Sequence, residues 1–174
     1  MTSRPEDGSG FRLTVSHERV TLPNGRNVNL DVVRHPGASA VVPFVSDHDV
    51  LLIRQYRHAT AGTILEIPAG KLDPGETPEA CAIRELAEET GQRAQRLEKL
   101  GWIWTTPGFT DERIHLFASF DLTPVPPQLD ADEIIEVVRM SLDEALDRVW
   151  RGELTDAKST VALMHAAHRL DRLR

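Results

Sequence analysis

The chain has 174 residues, 40% hydrophobic and 27% charged, a length suited to one domain, 1–174, with a sizeable core. That composition excludes wholesale disorder, collagen and coiled coil. With 20 Lys plus Arg against 27 Asp plus Glu the formal charge is -7, and no basic patch or long apolar run interrupts it, so neither a nucleic acid nor a membrane is expected as partner.

In chain order, Phe11 to Val20 and Asn27 to Val33 are extended runs around the turn signal Pro23-Asn24-Gly25, which predicts an N-terminal antiparallel hairpin. Ala38 to Val45 and Val50 to Tyr56, separated by Ser46-Asp47-His48-Asp49, read as a second hairpin. A short strand is expected over Ile64 to Pro68, followed by the breakers Gly70, Pro74 and Gly75. Thr77 caps the next helix with Pro78 at its first position, and Gly91 closes it. Leu97 to Thr105 and Ile114 to Leu122 are strands flanking the loop Thr106 to Arg113. The Pro-rich segment Thr123 to Gln128 leads to an acidic stretch and a strand from Ile134 to Met140. Ser141 and Glu144 form a capping box for a helix that Gly152 ends. Thr155 or Asp156 starts a last helix whose buried stripe would be Val161, Leu163, Met164, Ala167 and Leu170. Strands early and helices late predict an α+β domain with helices packed on a mixed β-sheet.

The informative segment is Gly70 to Gln92, GKLDPGETPEACAIRELAEETGQ. At about 100° per residue, with Glu85 at zero, Glu89 falls near 40° and Glu88 near 300°, so three carboxylates share a face. Ile83, Ala87 and Ala80 lie opposite, which predicts that the apolar side is buried and the acidic side presented to solvent. Like charges at such spacings repel. A divalent cation reverses the sign, and Mg²⁺ or Mn²⁺ prefers hard oxygen ligands of this kind, taking water and phosphate oxygens besides.

The same segment fits Gly-x5-Glu-x7-Arg-Glu-Leu-x-Glu-Glu-x-Gly through Gly70, Glu76, Arg84, Glu85, Glu88, Glu89 and Gly91. It resembles the signature box of the Nudix hydrolases, here residues 70–92, with Gln92 where the family usually has an aliphatic residue. The flanks Gln55-Tyr56-Arg57, Leu65 to Gly70 and Thr106-Pro107-Gly108 are similar to the ADP-ribose pyrophosphatase subgroup. The resemblance implies a Nudix-like fold and hydrolysis of the ADP-ribose diphosphate to AMP and ribose 5-phosphate with Mg²⁺ or Mn²⁺. It assigns Glu85, Glu88, Glu89 and the main-chain carbonyl of Ala69 to metal, and makes Arg84 and Glu76 a structural ion pair. Arg57 would grip the diphosphate. Glu66 would act near metal or substrate, or as a partner for Arg57, while Gly108 and Glu112 would meet the terminal ribose. It further implies a homodimer in which strands of about residues 10–35 cross the subunit boundary.

The family's general base often lies on a loop after the box, and Asp130 to Val137 is the matching region. Ala131 stands where a first glutamate is expected, which leaves Glu133 as the candidate base, with Glu136 or Glu112 in reserve and Glu88 as a further catalytic carboxylate. Trp102 and Trp104 share a sheet face and suggest core or dimer packing. His165 and His168 lack a third ligand, and Cys81 reads as a small packed residue. A lone cysteine and a polar N-terminus without an apolar stretch suggest a cytoplasmic protein. Two alternatives stay open: the same chemistry on another nucleotide sugar or a dinucleotide, or a non-catalytic module that senses ADP-ribose.

Overall fold

The computed structural model describes residues 14–129 and 133–171. Its architecture is the expected α+β one: a mixed sheet between helices, with an antiparallel hairpin at the N-terminal end. That hairpin joins β1 (Thr14–Thr21) to β2 (Asn27–Arg34), with Thr14 paired to Arg34 and Gly25 turning the chain at φ 81°. Phe11 to Leu13, expected to begin the first strand, lie outside the described residues.

The next two strands correct the expectation of a second hairpin. β3 (Ala38–Pro43) and β4 (Asp49–Arg57) lie in different sheets, linked by an isolated bridge between Phe44, just past β3, and Val50. The cause lies in β3, all six of whose residues are buried. A strand covered on both faces must sit centrally. It therefore pairs with β6 (Ala69–Lys71) on one side and, in parallel, with β8 (Arg113–Pro124) on the other. β7 (Gln92–Trp104) completes a four-stranded sheet of order β6-β3-β8-β7. It starts directly after the box helix, so Gln92 is a sheet residue and its polar side chain costs little. β4 instead lies between β5 (Gly62–Glu66) and β9 (Ile135–Ser141) in an antiparallel three-stranded sheet.

Helix α1 (Pro78–Thr90) covers one face of the four-stranded sheet, where Ala82 and Leu86 meet Val41 and Phe117. Its caps are as expected: the Thr77 hydroxyl accepts from the Ala80 amide at 3.2 Å, and Gly91 adopts φ 66°. α3 (Ala157–Arg169), capped by Asp156, packs Ala162, Leu163 and Ala166 on the opposite face against Ala40, Val42 and Leu116. α2 (Leu142–Trp150), capped by Ser141, buries Leu142, Ala145 and Leu146 in the same cluster. Each fully buried leucine contributes roughly 2 kcal/mol of transfer free energy. Leu170, expected in the buried stripe of α3, is 38% exposed because the helix ends one residue earlier.

Of the two alternatives for the tryptophans, core packing is not what the fold uses. Trp102 and Trp104 are 46% and 43% exposed and not part of the core. Their rings meet edge to face at 5.4 Å, and the Arg113 guanidinium lies 4.7 and 4.8 Å from the two ring centres. Among the described residues, no helix is long and apolar enough to cross a membrane.

Candidate metal and diphosphate site

The box helix buries the side that its composition advised against. Glu85 and Glu89 are 9% and 3% exposed and stand with Cys81, Ala82 and Leu86 on the inward face. Ile83 and Ala87 are only half-buried and Ala80 is exposed; all three line a cavity of about 620 Å³ beneath Val125, Pro126 and Gln128. The reason is geometric. α1 lies on the sheet through the narrow Ala82–Leu86 stripe, and the buried arc extends to whatever flanks that stripe, which includes the two acids. Burying a carboxylate disfavours its charged form. Accordingly the Glu85 carboxyl is pushed up to about 7, chiefly by burial, with Glu88 and Glu133 adding repulsion and Arg84 opposing it. Glu89 is pushed up to about 8, again by burial first and then by the charge of Glu85, against the hydrogen bond from the Ala69 amide. Acids held at such cost by the fold are a mark of a functional site.

The loop before the helix is shaped around them. The Ala69 amide donates to Glu89 Oε2 at 2.9 Å. Gly70 passes so near Glu85 that a Cβ there would lie 1.8 Å from Oε1, so only glycine allows this approach. Arg84 organises the outer side. Its Nε and one terminal nitrogen clasp both oxygens of Glu76 at 2.9 Å, as the expected ion pair, and that second nitrogen also donates to the Lys71 carbonyl at 3.0 Å. The other terminal nitrogen reaches Glu85 Oε1 at 2.7 Å and Glu88 Oε2 at 3.0 Å. Glu88, with 33% of its side chain exposed, is the most solvent-accessible of the three box acids. Cys81 is fully buried beside the Gly70 and Lys71 carbonyls, as expected of a packed thiol.

Facing the helix, Arg57 at the end of β4 makes a two-pronged contact with Glu66 at 2.8 and 3.1 Å. Of the alternatives for Glu66, a partner for Arg57 is thus what the contact supports. Burial works against the Arg57 charge, yet the Glu66 hydrogen bond and the charges of Glu66, Glu89 and Asp156 leave its pKa raised. Arg57 therefore stands within electrostatic reach of the box acids. Glu133 does so too, from beyond the segment Asp130 to Asp132, whose Ala131 and neighbouring acids lie outside the described residues. Glu136 is turned away toward Arg54, at 3.4 Å. Gly108 and Glu112 form a second group at the end of β2. Glu112 accepts from the Thr105 hydroxyl at 2.7 Å and lies 3.4 Å from His35 Nε2, while the loop backbone is fastened to Val33 at 2.8 Å. The His165 ring bonds the Leu100 carbonyl at 3.2 Å, a structural use.

Sequence reasoning missed Lys158 and Ser159 on the first turn of α3, and saw in Asp156 only the helix cap that it is. Lys158 pairs with Glu66 and, at 3.0 Å, with Asp156. The Ser159 hydroxyl accepts from the Ile67 amide at 2.8 Å, so this turn grips the strand leading to Ala69. One signal was available: a lysine in the first turn of a helix opposes the helix dipole and needs a partner. Gln55, part of the first flank, is 5% exposed, and its Oε1 is buried without a hydrogen-bond partner among the described residues.

No three acidic, histidine or cysteine side chains among the described residues converge closely enough to hold an ion unaided. The donor set still fits a hard divalent cation. Mg²⁺ commonly takes one or two carboxylates and completes its octahedron with water, carbonyl and phosphate oxygens, and the carboxylates of Glu85 and Glu89, held beside Glu88 and the Ala69 main chain, are of that kind.

A mixed-sheet domain that buries two acids of one helical turn against a glycine-lined loop, with an arginine opposite, defines a class built to handle anionic, oxygen-rich ligands through a cation. The chain belongs to the Nudix family, whose NUDIX domain matches residues 33–161. It is 41% identical over 159 residues to the ADP-ribose pyrophosphatase of Bacillus subtilis (strain 168), covering 90% of this chain and 86% of that one. The ADP-ribose pyrophosphatase of Mycobacterium tuberculosis is 34% identical over 91% of this chain and 79% of its own length. The GDP-mannose pyrophosphatase of Cronobacter sakazakii is 38% identical over 78% of this chain and 79% of its own. A solved ADP compounds hydrolase superposes with a TM-score of 0.79 at 26% identity, covering 95% of this chain and 97% of that one. Family membership implies a divalent metal.

Proposed function

We propose that this chain hydrolyses the diphosphate of ADP-ribose to AMP and ribose 5-phosphate, with Mg²⁺ or Mn²⁺. The observation that carries the reading is the inward placement of Glu85 and Glu89, 9% and 3% exposed, while the opposite, apolar side with Ile83 and Ala87, which an ordinary helix would bury, is left half-buried. Relatives named for ADP-ribose hydrolysis over most of their length support the substrate.

Glu85, Glu89, Glu88 and the Ala69 carbonyl would hold the ion. When bound it supplies neutralisation of the diphosphate and a lowered pKa for the attacking water. The chain does the rest. Arg57 gives Nε and one terminal nitrogen to Glu66, which fixes the plane of the guanidinium, and its remaining N–H donors are offered to the diphosphate oxygens. Glu133, close enough to raise both box acids, takes the proton of the attacking water. Glu112, held by the Thr105 hydroxyl, accepts hydrogen bonds from the terminal ribose, and the Gly108 backbone lines that end. Burial of Glu85 and Glu89 keeps bulk water from competing for the donors.

The reading includes a homodimer joined through the hairpin of about residues 10–35, supported by exposed Val15 and Leu30, 54% and 44% accessible. A cytoplasmic location is supported by the single, buried Cys81 thiol. A second substrate reading, a GDP-sugar, is favoured by the GDP-mannose pyrophosphatase likeness. The deciding test is chromatography of products after incubation with ADP-ribose and Mg²⁺. Release of AMP and ribose 5-phosphate is expected. Intact ADP-ribose, or faster turnover of GDP-mannose, rejects the assignment. Tight binding of ADP-ribose without cleavage would mark a sensor instead.

A further inference from the structure

We propose that Lys158 is a positioning residue for diphosphate binding: it shares the charge of Glu66 so that Arg57, on the other side of that carboxylate, keeps cationic character for the substrate. The inference rests on the reading of Arg57 as the diphosphate-gripping arginine.

The argument starts from burial. The Glu66 side chain is 2% exposed, and a carboxylate so enclosed must be paired. Two cations meet it. Arg57 approaches from β4 at 2.8 and 3.1 Å, with its side chain 40% exposed. Lys158 approaches from the first turn of α3 and is 10% exposed. The two have different duties because of that difference in exposure. Arg57 is exposed to solvent and feels the charge of the box acid Glu89, whereas Lys158 is largely enclosed and spends its ammonium on Glu66 and Asp156.

With Glu66 bound to Arg57 alone, the pair would be neutral and the guanidinium held by the full charge of a desolvated carboxylate. With Lys158 in place, that charge is divided between two donors. Asp156, 3.0 Å from the ammonium, adds a second carboxylate whose charge also reaches Arg57, so without Lys158 the single guanidinium would have to answer two acids, whereas with it the two cations match them. The location of Lys158 supports a specific purpose. A cation is disfavoured at a helix N-terminus, and the Asp156 cap and the Glu66 pair together overcome that penalty. The same turn holds Ile67 through Ser159, so the residues leading to Ala69 and the box acids are registered by α3, 92 residues along the chain. Lys158 therefore acts through Glu66 and Arg57.

The test is a double-mutant cycle on the full chain. Lys158→Met should raise KM for ADP-ribose about ten-fold with kcat changed less than about three-fold, the pattern of lost binding shared by ground and transition states. Lys158→Arg, which keeps the cation, should recover KM to within about three-fold of the original. In an Arg57→Ala background, Lys158→Met should leave KM unchanged, since its route to the substrate is gone. Should Lys158→Met not fold, Lys158→Gln keeps a donor toward Glu66 without its charge and replaces it. Calorimetric affinity for ADP, a nucleoside diphosphate that needs no turnover, is the second readout and should weaken in parallel. A KM and an ADP affinity both within two-fold of the unmodified protein, or an equal effect in both backgrounds, overturns the inference. Failure of the unmodified protein to release AMP from ADP-ribose would instead reject the substrate reading, and the ADP affinities would still decide the role of Lys158.

Discussion

Gly70→Ala separates the site from the fold with one methyl group. Built on the existing backbone, the new carbon would lie 1.8 Å from Glu85 Oε1, 2.0 Å from its carboxyl carbon and 2.4 Å from Oε2, where ordinary contact begins at 3.4 Å. The carboxylate must retreat by more than about 1 Å, and what yields is the tip of a side chain, not the sheet. Alanine also restricts the unfolded chain, which returns about 0.4–1 kcal/mol. The net change in stability should then stay within about 1 kcal/mol, a melting shift of roughly 2–4 °C for a chain of this size. Activity should respond far more, because displacement of a reacting group by about 1 Å costs on the order of 100-fold. The assay is kcat/KM for ADP-ribose across a Mg²⁺ titration, alongside a melting curve. We expect a fall of about 100-fold and a higher Mg²⁺ requirement with the fold retained. A kcat/KM within three-fold of the original, at an unchanged Mg²⁺ requirement, would refute the placement of Glu85 among the ligands.

Glu89→Gln, isosteric with a carboxyl already pushed up to about 8 by burial, should lower Mg²⁺-dependent turnover by orders of magnitude without lowering the melting temperature; retained turnover would reject its role. Glu76→Gln addresses the outer ion pair. The hydrogen bond from Arg84 is the main cause that holds the Glu76 carboxyl below its ordinary 4.5. A depressed acid stabilises the fold above the unfolded value and loses that contribution as pH falls through the folded one. The melting difference between parent and variant should therefore be full at pH 7 and shrink on acidification below about pH 4.5; a difference that grows there would contradict the pairing. Cys81, pushed up to about 12 by burial and by Glu85 and Glu76, should resist thiol reagents at pH 8 until the protein is denatured, and rapid labelling of the native state would disprove its burial. Light scattering should find a species of twice 19.4 kDa, and truncation of the N-terminal hairpin should reduce it to a monomer.

The box was legible because its chemistry demands fixed residues at fixed spacing: Thr77, Pro78 and Gly91 mark both helix ends, and Glu85 and Glu89 share one face whatever they pack against. Which face is inside was not legible. Composition places Ile83 and Ala87 in the core, but sheet contact at Ala82 and Leu86 decides it, and that contact depends on β3 and β8 meeting across the chain. The parting of β3 and β4 was hidden for the same reason. Local alternation and a polar turn describe a hairpin, while the demand that β3 be covered on both faces comes from distant strands. The Glu66–Lys158 pair joins residues 92 apart, beyond the reach of any local pattern. Arg57 and the Glu76–Arg84 pair were reached by resemblance, not by local rules.

The parallel ladder of β3 with β8 aligns Ala38 with Ile114 and encloses the acidic helix within the intervening crossover. Pairings so distant in sequence are entropically expensive to close and slow folding. On a ribosome, β3 would wait for its parallel neighbour until β8 had emerged from the exit tunnel, with the helix docked on half a platform. Assembly of the centre is thereby scheduled late, and a chain cut short before residue 113 would carry every box acid yet lack the strand that carries Phe117, one of the side chains on which Leu86 rests.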